Sequence, residues 1–416
     1  MHIAIIGAGV VGITTAYELA ADGHQVTVFE RHSTAAAETS FANAGVVAPG
    51  YVTPWAAPGM PGKVARYLLR RHAPIKLGWP LAPRDIAWMA RWLRACRLET
   101  YLANRARLQR LAFYSRDRLH LLTQQLRLAY DRSDGYMVLL RSEQDARLVE
   151  PGLQVLRDAG VRFARLDAEA ARTAEPALSP DMNFFGAIQL PDDEVGNCRQ
   201  FCMLLKAEAQ NLGVDFQFGT SVARIEAGPP VTLRLADGSA RQFDALVCCA
   251  GLGSARLLRP LGLHLPLAAV YGYSITATIR EPLNAPRSAV MDERYKVAIS
   301  RLGMRVRVAG SAEIGGSPER HREASVQTLY KVLHDWFPGA AQLQAGVQLW
   351  KGARPMLPDG PPVLGASGVP GIWLNLGHGS SGWALGCGSA RVLADLIAGR
   401  APAVDTDGLG IERLHR

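Results

Sequence analysis

His2-Ile3-Ala4-Ile5-Ile6, followed at once by Gly7-Ala8-Gly9-Val10-Val11-Gly12, decides how the chain begins to fold. The short apolar run reads as a buried strand, and the glycines turn it into an amphipathic stretch, Val10 to Ala21, that reads as a helix. Gly23-His24 ends that helix. Gln25-Val26-Thr27-Val28-Phe29-Glu30 then reads as a second strand closing on an acid eighteen residues after Gly12. Strand, glycine turn, helix, strand and terminal acid stand in the order of a nucleotide-binding βαβ unit. Gly7 permits the turn, Gly9 lets backbone amides approach a pyrophosphate at the helix N-terminus, and Gly12 lets helix and strand pack closely. Glu30 can accept from ribose hydroxyls and would disfavour a 2′-phosphate. Val10, Val11 and Arg31 border these positions and count with them as cofactor-binding candidates.

Further along, Val231-Thr232-Leu233-Arg234-Leu235, the turn Asp237-Gly238 and Ala240-Arg241-Gln242-Phe243 give a hairpin signal. A buried strand, Ala245 to Ala250, follows and runs into Gly251-Leu252-Gly253. Near the end, Ile372-Trp373-Leu374-Asn375-Leu376 precedes Gly377-His378-Gly379-Ser380-Ser381-Gly382 and a helix from Trp383 to Ile397. A second glycine turn thus opens a second helix N-terminus, whose dipole suits an electron-rich ring. The first unit alone leaves NAD and FAD both open.

Composition bounds the rest. The 416 residues suggest two or three domains with room for a buried cofactor. At 48% hydrophobic and 20% charged, with 41 Gly and 25 Pro, the composition excludes disordered and collagen-like chains. No uncharged apolar run reaches the roughly 18 residues of a membrane span, and the N-terminus lacks a basic signal region, so the expectation is a cytoplasmic protein. Six cysteines without C-x-x-C spacing indicate neither a disulfide framework nor a zinc site, and no metal is expected. The formal charge of +9 is uneven: residues 61–120 hold fourteen Lys or Arg against Asp85, Glu99 and Asp117, a surplus of eleven. No nucleic-acid-binding module accompanies that block.

The chain resembles the FAD-dependent D-amino acid oxidoreductases, most closely their bacterial dehydrogenase branch. The resemblance is carried nearly end to end by the glycine turn, by Glu38-Thr39-Ser40-Phe41-Ala42-Asn43-Ala44-Gly45, by Pro54-Trp55-Ala56-Ala57-Pro58-Gly59 and by Pro191-Asp192-Asp193-Glu194-x-Gly196-x-Cys198. Gly272-Tyr273-Ser274, Arg354-Pro355-Met356-x-Pro358-Asp359-Gly360 and Gly377-His378-Gly379-x-x-Gly382-Trp383 complete it. It implies an α/β and α+β architecture: a discontinuous Rossmann-like FAD-binding domain of about residues 1–62, 194–265 and 345–416, and a substrate domain with an antiparallel sheet and helices from 63–193 and 266–344. It also places Thr39, Ser40, Asn43, Ala44 and Gly45 near the pyrophosphate or isoalloxazine. Val222, Ala250, Gly251, Gly352, Gly377, His378, Gly379, Ser380, Ser381 and Gly382 join the expected FAD contacts.

The implied activity is oxidative deamination of D-amino acids to 2-oxo acids and ammonia, with electrons passed to a quinone or another acceptor. An oxidase of glycine, sarcosine or D-hydroxyproline that uses O₂ is the alternative, and a non-catalytic flavin-binding subunit or sensor is a reading from another class. Such chemistry needs an anchor for the substrate carboxylate and no nucleophile. Arg354 looks like the family's carboxylate-binding arginine, and its fork geometry suits a bidentate clamp. Tyr295, within Met291-Asp292-Glu293-Arg294-Tyr295-Lys296, occupies the place where related oxidases supply tyrosines. Tyr271 and Tyr273 flank Gly272 on an expected strand and point the same way, toward either the pocket or the sheet core. His378 fits flavin binding or helix capping better than base catalysis, and Cys248-Cys249 fits a core strand better than redox chemistry.

In the basic segment, Ile86, Met89, Ala90 and Leu93 follow i, i+3, i+4, i+7, with Trp88 and Trp92 one turn apart and Arg84, Arg91, Arg94 and Arg97 nearby. Two readings stay open. The helix lies on an anionic membrane surface at the inner face of the cell membrane, or it packs its Trp face on the substrate domain with its arginines in water.

Overall fold

A computed structural model describes residues 1–68 and 71–415; Leu69, Arg70 and Arg416 lie outside the described residues, Arg70 being one of the basic block counted above. The opening unit folds as the sequence predicts. Strand His2–Ile6, helix Val10–Ala21 and strand Gln25–Glu30 follow one another. The first strand is paired in parallel with Gln25–Glu30 on one side and with Ala245–Cys248 on the other. The expected strands Ala245–Cys248 and Ile372–Leu376 extend the same sheet in parallel, Asp215–Phe218 adds to the Gln25–Glu30 edge, and Val363–Ala366 closes the far edge antiparallel.

Alternation decides what covers each face of this six-stranded sheet. Ile3, Ile5, Val26, Val28 and Val247 pack against helices Val10–Ala21, Cys198–Asn211 and Gly382–Ile397. Ala4, Ile6, Phe29, Leu246 and Cys248 face the small three-stranded sheet built on the expected hairpin, through Val231, Leu233 and Phe243. The nucleotide sheet is therefore buried on both sides, as parallel strands require.

A second sheet of ten strands, largely antiparallel, carries the rest. At one end Ala268–Thr278 lies between the edge strand Gln348–Met356 and Arg305–Ile314, followed inward by Val297–Leu302 and Ala289–Asp292. Gln348–Met356, which falls inside the segment 345–416 expected with the FAD-binding domain, is hydrogen-bonded into this larger sheet. Conversely, helix Leu98–Gln125, expected with the substrate domain, buries Leu108, Leu111, Leu119 and Leu122 in the core of the nucleotide sheet's helices. Its Arg118 meets the fully buried Glu18 through two hydrogen bonds of 2.6 and 2.7 Å. Two more cations of the basic block pair within the chain at its surface: Arg107 and Arg110 reach Asp407 and Asp405.

Helix Pro83–Ala95 divides its faces. Trp88 is buried and donates to the Met356 carbonyl at 3.0 Å, and Trp92 packs beside it. Ile86 and Leu93 stand 57% and 51% exposed on the opposite side, and Trp79, Leu98 and Leu102 in the flanking segments are exposed as well. Among the described residues, Arg84, Arg91, Arg94 and Arg97 make no ion pair. No helix is long and apolar enough to cross a membrane among the described residues.

Candidate active site

A cavity of about 410 Å³ opens at the carboxyl ends of the parallel strands, where ligands of doubly wound sheets bind. Gly7 has φ 105°, and a Cβ there would lie 2.6 Å from the Cys249 carbonyl oxygen, so the turn accepts glycine alone. A Cβ on Gly12 would lie 1.8 Å from the Gly7 carbonyl oxygen, which is the close helix–strand packing expected of it. Gly9 is different. Its Cβ would meet only the Ser40 hydroxyl, at 3.4 Å, so the wall in front of it is held open toward the cavity.

Polar groups fix that wall. Ser40 Oγ accepts from the Val10 N–H at 3.0 Å and caps the helix. The Glu30 carboxylate accepts from the Ala8 N–H at 2.8 Å and the His32 N–H at 2.9 Å, which aims it across the turn. Val10, Val11, Arg31, Thr39, Asn43, Ala44, Val222, Ala250 and Gly251 line the same cavity, as do Gly352, Gly377, His378, Gly379, Ser380 and Gly382. Gly45 and Ser381 line the neighbouring cavity instead.

His378 is buried, and burial pushes its pKa down to about 3, so the ring is neutral at physiological pH. The Ser389 hydroxyl lies 3.0 Å from Nε2 and itself donates to the Gly386 carbonyl, so Nε2 carries the proton and donates to Ser389. A ring locked in this way holds the second glycine turn in place.

The adjoining cavity, about 820 Å³, shares Asn43, Ala44, Met291, Lys296, Gly310 and Arg354 with the first. Arg354 sits at this junction, on strand Gln348–Met356. Its Nη1 donates to the Ser311 carbonyl at 3.0 Å; among the described residues it has no carboxylate partner. Burial pushes its pKa down to about 10, leaving a cation at neutral pH. Gly272 makes room for it and Gly352 for Trp350: a Cβ on Gly272 would lie 2.3 Å from Arg354 Nη2, and one on Gly352 would lie 1.7 Å from the Trp350 ring. Gly272 and Gly352 are register partners, so this end of the sheet presents a bare backbone under these two long side chains.

Ser311 itself is unusual. It has φ 60° and lies where the register with Ala268–Thr278 slips, Tyr271 facing Glu313 and Tyr273 facing Gly310. This bulge turns the Ser311 carbonyl to the guanidinium.

Tyr295 falls elsewhere than expected, and Tyr271 and Tyr273 take the core side of the two readings left open for them. Tyr271 and Tyr273 lie on the sheet face opposite Arg354, beneath Lys351, whose Nζ is 4.4 and 5.3 Å from their rings. Tyr273 borders the first cavity, but its hydroxyl donates to Glu313 and accepts from the Arg322 N–H at 3.1 Å. Strand alternation is the reason: Gly272 faces the site, so its neighbours face the core. Tyr295 packs under Arg141, 4.9 Å from its ring, and away from both cavities. The tight turn gives Lys296 φ 51° and sends the lysine, with Glu293, to the cavity wall in its place.

Residues that sequence reasoning missed complete the larger cavity: Tyr51, Trp55, Tyr67, Tyr101 and Tyr136 supply its aromatic walls. Burial, with Glu293 and Asp193 nearby, pushes the Tyr51 pKa up, and burial does the same to Tyr136, so both stay neutral. Two wall cations are paired, Lys296 with Glu293 and Arg294 with Asp145 at 2.7 Å, while Lys63 and Arg66 on the same wall make no ion pair among the described residues. Trp350 lines the first cavity, and only its place two residues before Gly352 could have signalled it.

The residues present fit a dinucleotide carrying a planar ring: an open glycine wall for phosphates, an aimed carboxylate for a ribose, and a side-chain-free strand centre. Three comparisons agree. The model of the FAD dependent oxidoreductase family DAO matches residues 2–396. A D-amino acid dehydrogenase of Methylobacterium radiotolerans is 46% identical over 418 residues, covering 99% of each chain, and one of Bradyrhizobium diazoefficiens is 44% identical over the whole of both. The crystal structure of glycine oxidase from Geobacillus kaustophilus superposes with a TM-score of 0.78 at 22% identity, covering 98% of this chain and 97% of that one.

Proposed function

The chain belongs to the FAD dependent oxidoreductase family, and from that premise we propose that it oxidises D-amino acids to the corresponding imino acids, which water converts to 2-oxo acids and ammonia. FAD, when bound, supplies the acceptor for the electron pair leaving Cα. The unpaired Arg354 guanidinium at the junction of the two cavities is the observation that carries this reading. A substrate carboxylate on Arg354 pairs a part-buried cation that has no carboxylate partner among the described residues, and it fixes Cα beside the paired glycines Gly272 and Gly352. The aromatic walls keep water from that junction, and the side chain extends into the larger cavity. No residue is asked to form a covalent bond to substrate.

A cavity of about 820 Å³ leaves far more room than glycine fills, which favours larger side chains over the glycine or sarcosine oxidase alternative. The dehydrogenase relatives favour an acceptor other than O₂, a quinone in our reading. A membrane-dissolved acceptor gives meaning to the exposed Ile86 and Leu93 on a helix whose Arg84, Arg91 and Arg94, with Arg97 just beyond, make no ion pair among the described residues, and we place that face against an anionic bilayer. Anaerobic bleaching of the flavin by D- but not L-amino acids tests the activity.

A further inference from the structure

Three successive carbonyls of the loop between the two cavities are pulled in one direction. The Ala42 carbonyl accepts from Ser274 Oγ at 2.9 Å, that of Asn43 from Arg307 Nη1 at 3.1 Å, and that of Ala44 from Ser300 Oγ at 2.7 Å. All three donors project from one face of the ten-stranded sheet, where Arg307 pairs in register with Ser300 and Thr276. Because a trans peptide sets N–H opposite C=O, the amides of Asn43 and Ala44 are turned toward the cavities that both residues line. The next amide, Gly45 N–H, is already taken by Asn43 Oδ1 at 3.0 Å.

Arg307 is the odd member of that trio. Two serines would suffice as hooks at little cost, whereas a guanidinium only 4% exposed carries a heavy desolvation penalty. It has no carboxylate partner among the described residues. Nε donates to Thr276 Oγ1 at 2.9 Å, and its charged neighbours are Arg305 and Arg199, which together with burial push its pKa down to about 10. Arg199 lies 4.2 Å from the Phe41 ring, at the start of the same loop. Among the described residues, only Arg305 of the three reaches a carboxylate, Asp131 at 3.6 Å.

We propose that Arg307 is a positioning residue for the cofactor: a buried, unpaired cation that orients the amides of loop 42–44 and keeps the flavin pocket at positive potential, favouring the negative charge the flavin gains on reduction. A field of this kind acts through low-dielectric protein and is weakly screened. The inference rests on the FAD site and not on the identity of the amino acid substrate.

The test uses the FAD-loaded protein, with sulfite binding and the flavin midpoint potential as readouts, because both respond to positive charge near the ring and neither involves an amino acid. Arg307→Met should weaken sulfite binding on the order of ten-fold and make the midpoint potential more negative. Arg307→Lys, which keeps the charge, should stay close to wild type in both. Unchanged values in Arg307→Met would overturn the proposal, and so would equal losses in the Lys and Met variants, since those would point to the hydrogen bonds alone. Should Arg307 variants fail to retain flavin, Arg199→Gln carries the test: a smaller shift of the same sign supports the proposal and no shift overturns it. Wild-type protein that binds sulfite and has a measurable midpoint potential but turns over no D-amino acid would count against the amino acid assignment and leave the role of Arg307 standing.

Discussion

Arg354 donates through Nη1 to the carbonyl of Ser311 at 3.0 Å, and Ser311 is one of four non-glycine residues with positive φ among the described residues. The guanidinium is therefore held by a backbone bulge and not by an acid, which leaves its charge for a ligand. Backbone strain at such a position costs about 1–3 kcal/mol and persists where the surroundings enforce it.

Ser311→Gly should leave turnover near wild type, because glycine adopts this conformation freely. Ser311→Val should raise KM about ten-fold, because a β-branched residue resists positive φ and the carbonyl swings off Arg354. Steady-state kinetics on the best D-amino acid checks both, and equal KM values in the two variants would separate the bulge from the clamp.

Arg354→Lys should retain FAD and lose about 100-fold or more in kcat/KM, since a point ammonium cannot reproduce the bidentate fork that aligns Cα. Flavin content and kinetics on the same preparation are the measurement. Wild-type kcat/KM would remove Arg354 from the role of clamp.

Glu30→Ala should weaken FAD retention by roughly 1.5–3 kcal/mol, the worth of a hydrogen bond to a charged group. Gly9→Val should do more while leaving the chain folded, because a Cβ there meets only Ser40 Oγ inside the protein and stands where the pyrophosphate approaches. FAD titration of the apoproteins, with circular dichroism for folding, compares them.

Flotation with vesicles should show binding to anionic lipid that falls with added salt, each basic residue near the surface contributing about 1 kcal/mol. The double variant Ile86→Ser, Leu93→Ser should float less at every salt concentration, since both side chains are exposed and unpacked in the fold. Absence of binding to anionic vesicles at low salt would assign the basic segment another purpose.

The nucleotide half of the molecule is written largely locally: Gly12 against Gly7 and Glu30 against Ala8 and His32 act within thirty residues, although Gly7 also meets the distant Cys249, and strand and helix bounds follow directly from hydrophobic period. The substrate half is not. Tyr271 and Tyr273 carried an ambiguity of face that only pairing partners resolve, and Tyr295 lost its place to Lys296 through one positive φ in a turn. Gln348–Met356 crosses from one sheet's stretch of sequence into the other sheet, so its membership is set by long-range register. The aromatic walls come from residues scattered between Tyr51 and Tyr136, with no shared motif.

The central claim is that Arg354 and the paired cavities serve oxidation of a D-amino acid, and anaerobic mixing of the purified flavoprotein with a panel of D- and L-amino acids tests it most directly. Bleaching of the oxidised flavin absorbance by one or more D-amino acids larger than glycine, with equimolar 2-oxo acid formed and with slow recovery in air until a quinone is added, is the predicted result. A flavin that stays oxidised with every D-amino acid, or that is bleached by L-amino acids alone, would contradict the account.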